Sequence, residues 1–512
     1  LDEAAAMLRQ VAADTRPLSP DETARVQALQ AALALRRGDS TAALAAWAAA
    51  DTALAASLGP QHPQRRLLAA QRCEWGATAG STACAAVAGA VAADAAADGT
   101  PEAEALVQLS LARRARADGQ AAAARLAARR ALAAASAAGQ PRLLWPALAL
   151  LADLQADAGQ PAAAIFFGKL ALASLQQQRE RLLPLGALAD ARYLADKAPL
   201  YRRVAEWLLT AQRVPEALEL MQLLKQHEQT QYQQRGASAL AAGTDAAGQR
   251  RAGPGLTAAE QAALQQLDGD GSLAGSAELQ RLAALAAAQR ITPDERQRLA
   301  ALQLAEAARS AERLARLDAA LALLQQQQPR PALAAPPGVA MGPAPTATRP
   351  APGSLHVHLL AGEQQLSLLL AGPRGTTLHQ LPLPAAQLAL QVGRLRDQLQ
   401  AQGPDQPPAG VLPLAQQLHA AIGRPIDAAA RAQGAQRLVL WLDGPLRYLP
   451  LGLLHDGRQH LAQRYQLVVA GAVPTQAGAA PPRAAGTVAA SGVTQALQGL
   501  PALPAVADEL CD

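Results

Sequence analysis

Leu438-Val-Leu-Trp-Leu-Asp-Gly-Pro-Leu-Arg-Tyr-Leu-Pro-Leu-Gly-Leu-Leu-His-Asp-Gly457, followed by Leu461-Ala-Gln-Arg-Tyr-Gln-Leu-Val-Val-Ala470, is the stretch on which the fold turns. The unbroken apolar run 438–442 predicts a buried strand. Its ending in Asp443-Gly444 has the form of a strand-to-loop exit in an α/β sheet. Beyond it, Asp-Gly steps predict tight turns, Pro445 and Pro450 fix the chain, and Arg447 is suited to pairing with a carboxylate. His455 and Asp456 are adjacent and therefore point in different directions, so they read as a turn and not as a catalytic dyad.

Upstream of this stretch the apolar period is two. Residues 355–360 alternate, 366–370 follow a Gly-Glu-Gln-Gln turn, and 377–381 follow Gly-Pro-Arg-Gly, which predicts an antiparallel meander of three strands. His356 and His358 share one face of the first strand. With no third ligand in evidence, they read as a solvated strand face and not as a metal site. Helices are predicted over 385–399, with Leu388, Val392, Leu395 and Leu399 on one side, and over 412–422, with Leu414, Leu418 and Ile422 apolar.

Eight prolines between Pro329 and Pro352 mark a linker too rich in proline to be helical or to pair as a central strand. Before it, Thr257-Ala-Ala-Glu260 and Thr292-Pro-Asp-Glu295 are capping boxes, the second with Pro at the first helical position. A stripe from Leu299 through Leu302, Ala305, Leu314, Leu317 and Leu321 to Leu324 completes a long helical hairpin. Asp268-Gly-Asp-Gly-Ser272 has a superficial likeness to a calcium loop, but it lacks the sixth-position Gly and has Leu279 where the bidentate Glu belongs. It reads as a turn. The Gly-, Ala- and Gln-rich stretch from about Gln233 to Pro254 predicts a flexible connection.

The first part of the chain repeats. Gly38, Gly80, Gly119 and Gly159 recur about every 40 residues, each followed five residues later by an alanine (Ala43, Ala85, Ala124, Ala164) and seven further on by another (Ala50, Ala92, Ala131, Ala171). Each glycine suits a left-handed helix end, and the two alanines lie on one face of the next helix, where small side chains let a partner helix approach. Gln212-Arg-Val-Pro-Glu-Ala217 repeats the frame with Gln in place of Gly. This frame resembles the tetratricopeptide (TPR) repeat. Stacked helix pairs of that kind leave a concave face for a protein or peptide partner, with Trp75 and Arg113 as candidate groove residues that serve equally well in packing.

Composition agrees with close-packed helices: half of the 512 residues are apolar, alanine dominates, and aromatics are scarce. The net charge of +5 comes without a basic stripe interleaved with aromatics, so no nucleic-acid partner is indicated. No strongly apolar run reaches the length of a membrane helix. Cys73, Cys84 and Cys511 show neither C-x-x-C spacing nor His partners at metal-ligand distance, which fits a reducing, cytoplasmic setting. Cys511 follows an acidic, helix-like Asp508-Glu-Leu510, an unsuitable setting for a nucleophile. Beginning at Leu1, the sequence leaves open a removed signal peptide or an upstream segment.

Asp443-Gly-Pro-Leu-Arg447, Leu449-Pro450, Leu453-Leu-His-Asp-Gly457 and Arg464-Tyr465 resemble, in order and spacing, the signature of the CHAT family, caspase-like peptidase domains that bacteria fuse to TPR repeats. Leu500-Pro-Ala-Leu-Pro-Ala-Val-Ala-Asp-Glu-Leu510 resembles the segment that introduces the family's catalytic half, and the likeness covers about 355–510. The resemblance implies a His base, a Cys nucleophile and a backbone oxyanion hole, the His and Cys each following a later hydrophobic strand. None of the eight histidines stands in the family's His-Gly context. The expectation is therefore a chain that lacks the dyad and is inactive as it stands, with no catalytic, cofactor-binding or metal-ligating residue assigned.

The expected architecture is multidomain: an all-α TPR-like superhelix over 1–232, a linker and helical hairpin over 233–328, a Pro-rich linker over 329–353, and the N-terminal part of a caspase-like α/β domain over 354–512. The alternative is a noncatalytic TPR scaffold with an α/β docking domain. Oligomeric state is not legible in the sequence.

Overall fold

Paired helices dominate the described residues before 327, and Gly38, Gly119 and Gly159 of the repeat frame each end one helix and start the next. The structure, a computed structural model, describes residues 18–58, 63–76, 101–182, 197–237, 254–267, 290–326, 339–341, 350–400 and 410–470, with isolated residues between 5 and 10 and between 278 and 286. The described helices of the array are α1 (Pro20–Arg36), α2 (Ser40–Leu58), α3 (Pro63–Gly76), α4 (Pro101–Ala117), α5 (Ala121–Ala138), α6 (Pro141–Asp157), α7 (Pro161–Leu182), α8 (Ala198–Thr210) and α9 (Val214–Ala237).

Gly38, Gly119 and Gly159 take positive φ of 82°, 73° and 69° at the turns α1–α2, α4–α5 and α6–α7. At each turn the next residue's N–H reaches back five positions: Asp39 to Ala34 O, Gln120 to Ala115 O and Gln160 to Gln155 O. This bond satisfies a carbonyl that the helix end would otherwise leave unpaired. Ala43, Ala50, Ala124, Ala131, Ala164 and Ala171 are all fully buried, as one close-packed face requires. The α8–α9 turn repeats the geometry without glycine: Gln212 is held at φ 58°, Arg213 N–H bonds Leu208 O, and Ala217 is buried. The repeat position at Gly80, Ala85 and Ala92 lies outside the described residues.

Both capping boxes form. Thr257 N–H donates to Glu260 Oε2 at 2.8 Å and Glu260 N–H to Thr257 Oγ1, opening α10 (Ala258–Leu267). Thr292 and Glu295 do the same for α11 (Pro293–Gln326). The buried residues Leu317, Ala320 and Leu324 of α11 join the array core, while Leu299 and Leu302 pack with Leu282 in a small separate cluster. Glu260 has a second task. It accepts from Lys169 on α7 at 3.0 Å and from Arg213 at 2.7 Å, while Lys169 also bonds Glu216 and the Gly255 carbonyl. Lys169 and Glu260 are buried, so this network ties α10 to the array with charges that cannot separate cheaply. The Asp268–Ser272 turn and Leu279 lie outside the described residues. So does most of the expected flexible connection, of which 233–237 belong to α9.

The α/β part is a six-stranded sheet in the order β1-β4-β3-β2-β5-β6. Its strands are β1 (Val339–Met341), β2 (Ser354–Ala361), β3 (Leu366–Gly372), β4 (Gly375–Leu381), β5 (Arg437–Trp441) and β6 (Gln466–Val469). Strands β2, β3 and β4 form the expected antiparallel meander, and β5 and β6 add in parallel beyond β2. β1 corrects the reading of 329–352 as linker alone: a proline-free window pairs antiparallel with β4. It does so at the edge, where a proline-flanked strand is tolerated.

Helix α12 (Ala385–Gln400) matches the expectation, with Leu388, Val392 and Leu395 buried. The next helix does not stop at Ile422. α13 (Val411–Leu418) runs through a π turn, His419–Gly423, into α14 (Arg424–Gln433). Arg424 N–H bonds His419 O, and the wide turn carries the chain past Pro425 and returns Ile426 and Ala430 to the buried face. Leu355, Val357 and Leu359 of β2 face this helical layer, whereas Leu360, Leu369 and Leu378 belong to the array core. The sheet is thus covered on both sides. The described residues belong to a unit spanning Leu1–Gly471; Ala472–Asp512 forms a second unit, outside the described residues.

A non-glycine left-handed residue costs about 1 kcal/mol, so Gln212→Gly is expected to raise stability by roughly 0.5–1 kcal/mol in urea unfolding. Lys169→Met, which leaves buried carboxylates short of a cation, is expected to lower it by about 3 kcal/mol in the same measurement.

Candidate functional site

The carboxyl end of a parallel strand is where an open α/β sheet places its ligands and reacting groups. At the carboxyl end of β5 stands Asp443, only 2 % exposed. Gly444 follows at φ 54° and begins a short 3-10 turn, Gly444–Tyr448. That backbone sends the chain sharply out of the sheet and leaves the Asp443 side chain beneath the turn. Its Oδ2 accepts from the N–H of Ala361, the last residue of β2, at 3.3 Å.

The compensating charge comes from the helical array. Arg202 on α8 donates from Nε to both Asp443 oxygens at 2.9 and 3.1 Å and from Nη2 to Oδ1 at 3.1 Å. This forked geometry is available to a guanidinium and not to an ammonium. Lys225 on α9 bonds the carbonyl of Leu442, one residue before. Two cations of the array therefore meet the end of β5. Beside them on α8, Arg203 lies 3.1 Å from Asp153 and donates to Glu363 in the β2–β3 turn at 3.0 Å.

A second cluster gathers the motif residues that follow. Asp427 on α14 accepts from Arg464 at 2.7 Å, from the Tyr465 hydroxyl at 2.6 Å and from Arg431 at 2.5 Å. Burial raises the Asp427 pKa, but the Tyr465 hydroxyl and Arg464 outweigh it and hold the carboxyl below its ordinary range. Burial, then Asp427, pushes the Tyr465 hydroxyl up to about 12. Asp456 caps its own turn, accepting the N–H groups of Arg458 and Gln459 at 2.8 and 2.9 Å, and also pairs with Arg464. Those N–H groups and Arg464 keep it well below the carboxylate range. His455 Nδ1 accepts from Gly457 N–H, so His455 and Asp456 serve one turn. These charges neutralise one another and clamp the 453–465 segment to α14.

His356 and His358 are not on a solvated face. His358 pairs in register with Trp441 and stacks on it at 4.3 Å and 9°, and burial drives its pKa down to about 3. His356 is half-buried and also touches Trp441. The two-residue period marked the shared face correctly, but the expectation missed the helices that cover it. Among the described residues no group of three or more His, Cys, Asp or Glu could hold a metal ion. Cys73 is buried in α3; Cys84 and Cys511 lie outside the described residues. Arg113 is partly buried on α4, and the side chain of Trp75 is not among those described.

Sequence reasoning singled out Asp443, Arg464 and Tyr465 but missed Arg202, Lys225 and Asp427. The one usable signal for Asp427 was its place four residues before Arg431 on a helix. Comparison with known families adds a match of residues 412–512 to the family model for the CHAT domain. The chain is a CHAT-domain protein. No curated protein and no solved structure matches it significantly. The matched stretch begins in α13 and includes Asp443, Asp427 and the whole 453–465 clamp, so these charges hold the framework of the matched region and its junction with the array. No helix among the described residues is long and apolar enough to cross a membrane.

Arg202→Met leaves a buried carboxylate without its cation and is expected to cost roughly 3–5 kcal/mol and to speed hydrogen exchange across 443–449. Arg202→Lys restores the charge but not the fork, and is expected to recover less than half of that loss.

Proposed function

We propose that the chain is the sensing and framework part of a caspase-like cysteine peptidase, in which a TPR-like array binds a protein or peptide partner and governs a CHAT peptidase domain. The family match at 412–512 supports the peptidase class. The observation that carries the coupling is the Arg202–Asp443 fork, buried at its carboxylate end, which joins an array helix to a residue of the CHAT signature. The repeated left-handed turns and buried alanines support the TPR-like reading of the array. The division into array, hairpin, proline-rich linker and α/β domain at 1–232, 233–328, 329–353 and 354–512 belongs to the same proposal. Three cysteines without disulfide spacing favour the reducing cytoplasm as its setting.

No residue described between 18 and 470 is assigned as nucleophile or base, and this reading places the His and Cys outside the described residues. In the mechanism it implies, the His removes the thiol proton, the thiolate attacks the scissile carbonyl, and backbone N–H groups hold the oxyanion. The contribution of this chain is to fix the carboxyl ends of β2 and β5, beside which such groups would have to stand.

The 512-residue chain, freed of contaminating proteases, is expected to leave peptide substrates intact. A longer product of the gene carrying a strand ending in His-Gly and a later strand ending before Cys is expected to cleave them. Cys→Ala there should abolish cleavage and leave partner binding to the array unchanged. Cleavage by the 512-residue chain, or survival of cleavage after Cys→Ala, would overturn the reading.

A further inference from the structure

Helix α8 meets the α/β part through Arg202, Arg203 and Glu206, three side chains within five residues, and reaches β4 through Thr210. Arg202 and Arg203 have their carboxylate partners. Glu206, one turn on, is only 8 % exposed, yet it faces another carboxylate. Its carboxyl lies against the β2–β3 turn, where it is hydrogen-bonded by the Gln365 side chain and the Glu363 backbone N–H. A Cβ at Gly362 would strike its Oε2, so the two chains pass with no room between them.

We propose that Glu206 is a proton-operated latch that holds α8 against the β2–β3 turn when neutral and loosens that contact when ionised. The inference stands apart from the peptidase reading, since it needs only the junction between array and sheet.

Among the described residues, the charges around the latch leave it without a counterion. On α8 itself, Arg202 is engaged by Asp443, and Arg203 by Asp153 of α6 and by Glu363. From the turn comes Glu363, whose charge opposes ionisation of Glu206. From β4 comes only neutral Gln380, donating to Thr210 Oγ1 at 3.1 Å, while Thr210 in turn donates to the Glu206 carbonyl. Burial first, and Glu363 second, raise the Glu206 pKa to about 7, against the smaller pull of the Gln365 and Glu363 hydrogen bonds.

The sign follows from linkage. The docked carboxyl keeps its proton at a pH where the undocked one, at its ordinary value of 4.5, has lost it. Docking is therefore strongest below about 4.5 and weakens as pH rises through about 7, on the order of a hundredfold in the docked-to-open ratio. Above that range the full penalty remains.

Hydrogen exchange of the 512-residue chain, corrected for intrinsic rates and followed at 198–210 and 358–372 between about pH 5.5 and 8.5, tests this directly. The native chain should open progressively more at these segments as pH rises, whereas Glu206→Gln should stay closed throughout. Glu363→Gln, which removes the opposing charge but keeps the latch, should move the transition to lower pH and covers the case in which Glu206→Gln fails to fold. An unchanged pH profile in Glu206→Gln, or an unmoved transition in Glu363→Gln, would overturn the proposal.

Discussion

A carboxylate buried at the end of a strand has to be met by a cation, and at Asp443 that cation arrives from a helix 241 residues earlier in the chain. The sheet alone provides one backbone N–H, from Ala361, which is too little to hold an ionised group out of water. Arg202 supplies the rest. Removing Arg202 strands the Asp443 carboxylate in a low-dielectric site, so the position of α8 and the path of the Asp443-Gly444 turn are set together. Everything between them is held to that geometry: the end of β2, the β2–β3 turn reached by Arg203, and the Leu442 carbonyl reached by Lys225.

The array can hold α8 in place because its helices approach closely. Ala163, Ala164 and Ala171 of α7 are fully buried, and at Gly168 the Val204 and Trp207 side chains of α8 come within 2.7 and 3.2 Å of where a Cβ would stand. A larger residue there would push α8 off α7 and toward the sheet. Alanine-rich composition thus determines how near the sheet-binding helix lies to its neighbours. Dispersion between close backbones, together with leucine burial, takes the part that aromatic side chains, scarce in the sequence, would otherwise play.

What was legible in the sequence is what local chemistry dictates. The glycine–alanine frame, both Thr–Glu capping boxes, the three-strand meander and the strand that ends in Asp443 each follow from neighbours within one or two turns. Even Gln212 was identified as standing in for glycine, because the residues around it keep the frame. What was not legible depends on contacts distant in sequence. Nothing near Arg202 distinguishes it from Arg203, and only the fold shows which one meets Asp443. His356 and His358 carry a strand period that marks a shared face but cannot reveal that Trp441 and the helices lie over it. The π turn at His419–Gly423 was hidden for a different reason: Gly423 and Pro425 are ordinary helix-ending residues, and the helix continues only by widening one turn.

The junction is therefore a single packed wedge with a face on each side. α8 touches α7 through Val204 and Trp207, and the sheet through Arg202, Arg203 and Glu206. Close packing does not allow one face to move while the other stays, because interiors of this density rearrange between discrete states and do not deform smoothly. On the proposed reading, a ligand that shifts α7 would bias the Asp443-Gly444 turn to the extent that α8 moves with it. Linkage makes any such bias reciprocal, so on that reading a ligand at the carboxyl end of β5 would alter affinity along the array by the same factor. The size of that coupling is bounded by the contacts that α8 exchanges in moving, of which the Arg202–Asp443 fork is the most costly to lose.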